Sequence, residues 1–341
     1  MKRPTMADIA RRAGLTKGAV SFALNGKPGV SEATRRRVLA IAEELGWQPN
    51  SAARALSDGR AGAFGLVIDR PAPALGVEPF FMQLISGIQA ELSRDGVALL
   101  FTLAEDVRAQ VAVHRDWWAS RRVDGVFLVD VHVGDPRIAA LEELQLPAVV
   151  IGSPVASGSL PAVWNDEADG VRLAVEHLAG LGHRSVARVS GPADLLHTRQ
   201  RSAAFDAVTA ELGLRATTVE ADYTGEGGAA ATLALLEGPD RHTAVLYDND
   251  LMAVSGLSAA QQHGFRVPAD VSLLAWDDSP LCGAVRPGLT ALRRDIAAYG
   301  AHAARQLCDL VAGEEVRDLQ AAPPELVRRG STAPLERPAA A

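Results

Sequence analysis

The sequence predicts an all-α N-terminal helix-turn-helix module followed by an α/β body of two doubly wound parallel sheets. Three observations carry that expectation. The opening segment holds three short amphipathic helical stretches broken at glycines. From residue 63 onward, short β-rich runs alternate with helical ones. The charge also divides between the two parts: residues 1–60 carry 11 Lys+Arg against 5 Asp+Glu, and the other 281 carry 23 against 36. A basic module on an acidic body is an electrostatic footprint for a polyanion, confined to one end.

The helices come first. Thr5 suits the N-cap of a helix over residues 6–12, with Met6, Ile9, Ala10 and Ala13 on one apolar face. Gly14 supplies the positive φ that ends it. Thr16 caps a second helix, with Ala19, Val20, Ala23 and Leu24 inward, and Asn25-Gly26 closes it. A third starts at Ser31, runs through Val38, Ile41, Ala42 and Leu45, and stops at Gly46. Two helices on a tight glycine turn, buttressed by a third, make a helix-turn-helix. Its second helix enters the major groove with Lys17 and Gly18 leading. The hydroxyls of Thr16, Ser21, Ser31 and Thr34 suit phosphate oxygens.

The body follows. The runs "AFGLVID" (63–69), "GVALLF" (96–101), "GVFLVD" (125–130), "PAVVIG" (147–152), "SVARVS" (185–190), "TAVLY" (243–247) and "VSLLAW" (271–276) read as strands. Amphipathic stretches at 166–181 and 248–263 read as helices between them. Such alternation implies parallel sheets covered on both faces, and the length suggests two lobes. The tail "STAPLERPAAA" reads as loose.

In such sheets a ligand sits beyond the carboxyl ends of the strands. That rule picks Asp69, the "DND" of Asp248, Asn249 and Asp250, the pair Asp277 and Asp278, and Arg199 with Arg201. Arginines and carboxylates can each take a vicinal diol at two points. Phe80, Phe81, Tyr223 and Trp276 are the aromatic candidates. Asp250 and Asp278 also read as helix caps, and Arg199 as a lobe-surface residue.

Other classes are excluded. No apolar run can span a bilayer, and the N-terminus carries no signal segment, which predicts a cytoplasmic protein. Cys282 and Cys308 stand far apart in no CxxC pattern, so no disulfide framework or thiolate metal site is expected. No lysine follows Lys27, which removes phosphate-loop and Schiff-base chemistry. His177 and His183 lack zinc spacing, "GEGG" (225–228) is a weak glycine match, and Trp117-Trp118 reads as packing or dimer contact. No metal, cofactor or enzymatic activity is expected.

The stretch "DIARRAGLTKGAVSFALNGKPGVSEATRRRVLAIAEELGWQPNSAARAL" resembles the headpiece of the lactose-repressor/galactose-repressor (LacI/GalR) family nearly end to end. The similarity continues to about residue 331. It implies a headpiece (1–47), a hinge helix (48–60), a two-lobed periplasmic-binding-protein-like core (61–331) and a flexible tail (332–341). Lobe 1 is expected over about 61–160 and 292–321, and lobe 2 over about 161–291 and 322–331. The resemblance implies DNA contacts from Thr5, Thr16, Lys17, Gly18, Ala19, Ser21, Phe22, Asn25, Ser31 and Thr34. In the hinge it implies Asn50, Ala53, Arg54 and the wedge residue Leu56. Phe22 departs from the family's usual arginine, and a phenylalanine cannot donate to guanine. Effector contacts are implied at Arg201, Asn249, Asp277 and Tyr223, beside Phe81 and Asp69 from the strand-end and aromatic reading. Gly152 stands where sugar binders of the family can carry an aspartate. The expected partners are double-stranded operator DNA, a small-molecule effector such as a sugar, and a second copy of the chain. Leucine heptads that would make tetramers are absent. The alternative is a two-lobed sugar-binding receptor without a DNA role.

Overall fold

The computed structural model describes residues 4–47, 60–70, 75–238 and 241–335. The chain forms two compact units, Met1–Ala61 and Gly62–Ala341.

In the first unit, α1 (Met6–Ala13), α2 (Lys17–Leu24) and α3 (Glu32–Glu44) follow the apolar periodicity. The Thr5 N–H and hydroxyl both donate to the Asp8 carboxylate, at 2.9 and 2.6 Å. Gly14 ends α1 at φ 65°. Thr16 Oγ1 accepts from the Ala19 N–H at 3.2 Å, and Ser31 Oγ from the Thr34 N–H at 3.2 Å. Ile9, Ala10, Ala13, Val20, Ala23, Val38, Ile41 and Ala42 form one small core. Leu24, expected inward, packs partly buried against this core, whereas Ala19 is half-buried outside it, because the face of α2 away from α1 and α3 is left uncovered. Residues 48–59, and with them the hinge-helix reading at Asn50, Ala53, Arg54 and Leu56, lie outside the described residues.

The second unit runs β1 (Ala63–Ile68), α4 (Pro79–Leu92), β2 (Ala98–Leu103), α5 (Val107–Ala119), β3 (Gly125–Val129), α6 (Pro136–Leu144), β4 (Ala148–Ile151) and β5 (Ala162–Trp164). It continues with α7 (Glu167–Gly180), β6 (Ser185–Ser190), α8 (Leu196–Glu211), β7 (Arg215–Glu220), α9 (Gly225–Glu237), β8 (Ala244–Tyr247), α10 (Asp250–Gln262), β9 (Ser272–Trp276), α11 (Pro280–Ala284) and β10 (Thr290–Arg293). It closes with α12 (Ile296–Ala312), β11 (Leu319–Gln320) and β12 (Glu325–Val327). Two six-stranded sheets result, ordered β11-β5-β4-β3-β1-β2 and β12-β10-β9-β8-β6-β7. The β10–β12 ladder is antiparallel; the other described ladders are parallel. β3, β4, β8 and β9 are buried along their whole length, which is why they read as continuous apolar runs.

The chain crosses between the sheets three times, after β5, β10 and β11. β5 pairs with β4 and so belongs to the first sheet, while β10 pairs with β9 in the second. The expected lobe boundaries at 160/161 and 291/292 therefore shift by a few residues toward the C-terminus. Hydrogen bonding, which the sequence does not display, decides which sheet a short strand joins. The helices α4 and α12 pack through glycines: a Cβ at Gly87 would sit 1.9 Å from the Ala297 carbonyl oxygen.

The tail is not loose along its whole length. Ser331 is fully buried, and its Oγ donates to the Leu273 carbonyl at 2.6 Å while accepting the Thr290 N–H at 2.8 Å. The Leu335 N–H donates to the Leu181 carbonyl at 2.8 Å. These polar groups close the ends of β9, β10 and α7, and so residues 331–335 are bound by satisfaction of the backbone rather than by apolar burial.

Candidate ligand cleft and nucleic-acid interface

A cavity of about 80 Å³ lies at the carboxyl ends of the strands, lined from both lobes. That is several times the ~10–15 Å³ that one water needs. Lobe 1 contributes Arg70, Glu78, Phe80, Phe81, Asp130, Gly152 and Tyr299. Lobe 2 contributes His197, Arg201, Tyr223, Asp248, Asn249 and Asp277, and Arg294 enters from the crossover after β10.

Arg201 projects from α8 and is buried. Its Nε donates to Glu167 at 2.6 Å and its Nη1 to the Asp248 carbonyl at 3.1 Å. The guanidinium stacks 4.0 Å from the Trp276 ring centroid. Burial opposes its charge, but Glu167 and Asp248 raise its pKa above the ordinary value. Asp277 accepts from both Nε and Nη2 of Arg294 through one oxygen, at 2.8 and 2.7 Å. Asn249 has both amide groups engaged. Its Oδ1 caps α10 by accepting the Met252 N–H at 2.8 Å, and its Nδ2 donates to the Tyr223 carbonyl at 3.0 Å. It therefore holds the Tyr223 loop in place as well as lining the cleft.

The Tyr223 hydroxyl bonds to His197 Nε2 at 2.8 Å and Thr198 Oγ1 at 3.1 Å. A Cβ at Gly191 would come 2.0 Å from this ring, so only glycine lets the ring lie there. Burial drives the His197 imidazole well below its ordinary pKa, leaving it neutral. Phe81 is 1% exposed and meets Phe80 edge-on at 5.3 Å.

Five described non-glycine residues have positive φ, and Asp130, Tyr223 and Asp277 are three of them. Each such residue costs of order 1–3 kcal/mol. All three line this cavity, and such outliers cluster at ligand sites in general.

Of the sequence-derived candidates, Arg201, Asn249, Asp277, Tyr223 and Phe81 come together here. Asp69 does not. Its carboxylate faces His132 at 3.8 Å and Arg70 at 4.0 Å. Side chains alternate in extended chain, so the next residue, Arg70, takes the cleft position. Trp276 is fully buried beneath the cleft, supporting two guanidiniums. Asp278 is held by Arg293 and Arg329, at 2.8 and 2.7 Å, and caps no helix. Asp250 is the first residue of α10 rather than its cap. Arg199 is exposed.

Sequence reasoning missed Arg70, Glu78, Asp130, His197, Glu167 and Arg294. Asp130 was findable, since it ends a recognised strand run. His197 lies one turn before Arg201 on the same helix face. Arg294 follows β10, a strand without an evident apolar run. At Gly152 a Cβ would meet nothing within 4 Å, but its φ of 152° disfavours a side chain.

The other eye-catching motifs are structural. His183 bonds Thr243 and Ser272 at 2.9 and 3.1 Å, and His177 bonds Thr332 at 3.1 Å. Gly225 to Gly228 form the first turn of α9, where Gly228 abuts the Met252 backbone. Trp117 is core, and Trp118 is 49% exposed.

In the first unit, α2 presents an open face. Thr5, Thr16, Lys17, Gly18, Asn25 and Ser31 are exposed, and Ala19, Ser21 and Thr34 are half-buried. Phe22 is 45% exposed and packs over Gly29. The Asn25 amide donates to Ser21 Oγ at 3.3 Å, and the Ser31 and Thr34 hydroxyls lie 2.9 Å apart. The Thr16 hydroxyl only accepts in its capping bond, which leaves its O–H to donate to a phosphate oxygen.

The chain matches the model for bacterial regulatory proteins of the lacI family over residues 5–50. It matches the periplasmic binding protein-like domain over residues 175–332. It is 33% identical over 320 residues to the HTH-type transcriptional regulator CelR of Thermobifida fusca, covering 92% of this chain and 93% of that one. A crystal structure of the lac repressor dimer bound to operator and the anti-inducer ONPF gives a TM-score of 0.85 at 27% identity, over 97% of this chain and 100% of that one. A transcriptional regulator CelR–cellobiose complex gives 0.73 at 29% identity, over 96% and 100%. Similarity of this extent runs through both units, and the relatives are transcriptional regulators rather than enzymes. The chain therefore belongs to the LacI family of bacterial regulatory proteins, as a ligand-responsive, DNA-binding transcriptional regulator.

Proposed function

We propose that the protein is a cytoplasmic repressor that binds a pseudo-palindromic operator as a homodimer. A sugar or sugar derivative in the interlobe cleft sets its operator affinity. One observation carries this reading: the cavity is walled by both lobes, with Arg70 and Phe81 on one side and Arg201, Tyr223 and Asp277 on the other. A ligand touching both walls has different contacts in closed and open arrangements, and that difference is what a binding equilibrium can act on. The relatives solved with cellobiose and with operator DNA support it.

The test begins with DNA selected from a random pool by the full-length protein. A two-fold symmetric site is expected. Anisotropy titrations with and without sugars should then show an affinity change of roughly 5–150-fold, the usual range of allosteric coupling. An asymmetric site bound by one chain, or no change with any sugar, would refute the proposal. Residues 48–60 are the sequence candidates for the coupling segment, with Leu56 as wedge.

A further inference from the structure

The charge of the cleft is closed on itself. Among the described residues, four guanidiniums meet four carboxylates: Arg70 with Asp130 at 2.7 Å, Arg294 with Asp277 at 2.7 Å, Arg201 with Glu167 at 2.6 Å, and Arg188 with Asp248 at 2.5 Å. Two further acids approach Arg70: Asp69 at 4.0 Å, which also faces His132 at 3.8 Å, and Glu78 at 3.7 Å. Burial pushes the Glu78 carboxyl up to about 8, so it is uncharged at neutral pH. A phosphate ester entering this space would bring charge that no spare guanidinium offsets, and a buried unpaired charge is costly. A hydroxyl needs no such compensation. It donates to a carboxylate and accepts from a guanidinium, and two adjacent hydroxyls match an arginine–carboxylate pair.

Lobe 1 offers such a pair. Arg70 has a buried Nε–H without a hydrogen-bond partner, and Asp130 Oδ2, though ion-paired, likewise makes no hydrogen bond. The Arg70 guanidinium also lies 5.6 Å from the ring centroids of both Phe81, in lobe 1, and Tyr223, in lobe 2. It therefore bridges an aromatic ring of each lobe at the cleft.

We propose that the effector is an uncharged polyhydroxylated ring, and that Arg70 and Asp130 are its specificity-determining residues on lobe 1. This rests on the sugar-responsive reading above and narrows it. Neither residue was among the strand-end candidates, and the pairing of charges, rather than any one residue, excludes the ionic ligands.

The test uses the full chain in thermal-shift and calorimetric titrations. The probes are glucose, cellobiose and maltose as uncharged rings, glucose 6-phosphate as an anion, glucosamine as a cation and hypoxanthine as a planar base. At least one uncharged sugar should bind more tightly than every other probe. Arg70→Gln and Asp130→Asn should each weaken that sugar at least tenfold. Arg70→Lys keeps the charge but loses the planar fork, and should fail to restore affinity. Tightest binding of glucose 6-phosphate or glucosamine would leave the sugar reading standing and overturn the inference. Binding of hypoxanthine alone, or of none of the probes, would overturn the sugar reading and the inference with it. Full affinity in Arg70→Lys would show that Arg70 serves only as the counter-charge of Asp130, and would remove its assigned role.

Discussion

At the scale of single residues, the cleft is built from groups whose functional and structural duties overlap. Arg201 neutralises buried Glu167 and covers Trp276. Arg201→Ala leaves Glu167 with Arg294 alone, at 3.6 Å, and should therefore lower folding stability by less than the about 3–5 kcal/mol of a fully orphaned buried charge, as read by urea denaturation. Asp277→Asn keeps the shape and leaves Arg294 with Glu167 at 3.6 Å. It is the cleaner probe, and should weaken effector binding at least tenfold in calorimetry while the protein stays folded. Glu78 gives a pH signature. Its pKa rises from 4.5 to about 8 on folding, mainly through burial, with Arg70 opposing. The folded protein then holds a proton that the unfolded chain releases above its own pKa. The stability this confers is fully present below about pH 4.5 and is lost as pH rises to about 8. Glu78→Gln should flatten that decline. At pH 8 it should be more stable than the parent by at least about 1.4 kcal/mol, the value of one pKa unit. A parallel decline in both proteins would mean that Glu78 is ionised in the fold.

At the scale of elements, α2 is the helix proposed to read the DNA. Its buried side is two residues, Val20 and Ala23, so most of the helix is free to face a groove. The basic charge of residues 1–60 should make operator affinity fall steeply between 50 and 200 mM salt. Lys17→Ala should reduce the log–log slope by about 1 if Lys17 meets a phosphate. A flat plot for the parent protein would remove the first unit as the DNA surface. Phe22 decides a different quantity. It can pack against a thymine methyl but offers no hydrogen bond, so Phe22→Arg should introduce a guanine preference at one base position, measurable by repeating operator selection. A change of overall affinity with unaltered sequence preference would place Phe22 off the bases.

At the scale of the whole molecule, a homodimer matches two half-sites related by a two-fold axis. Light scattering of the full chain at micromolar concentration should give a dimer, and a tetramer would contradict the reading. The alternating apolar runs and the glycine-punctuated helices made the headpiece, the parallel sheets and the position of the cleft legible in the sequence. Those features are local: a 3.6-residue period, a continuous buried run, a carboxylate at a strand end. Runs such as "RATTVE" gave no such signal, because β7 is a mostly exposed edge strand. The strand-end rule found Asp277 and Asn249 and fell one residue short of Arg70. What only the tertiary structure decided is non-local. It assigned β5 and β10 to their sheets by hydrogen bonding, pinned residues 331–335 to the body, turned Asp69 away, and matched each cleft arginine to a carboxylate. Arg70 and Asp130 are 60 positions apart, and Arg294 and Glu167 more than 120. No period or motif couples charges at such separations. The fold does, because a buried charge without its partner is too costly to keep.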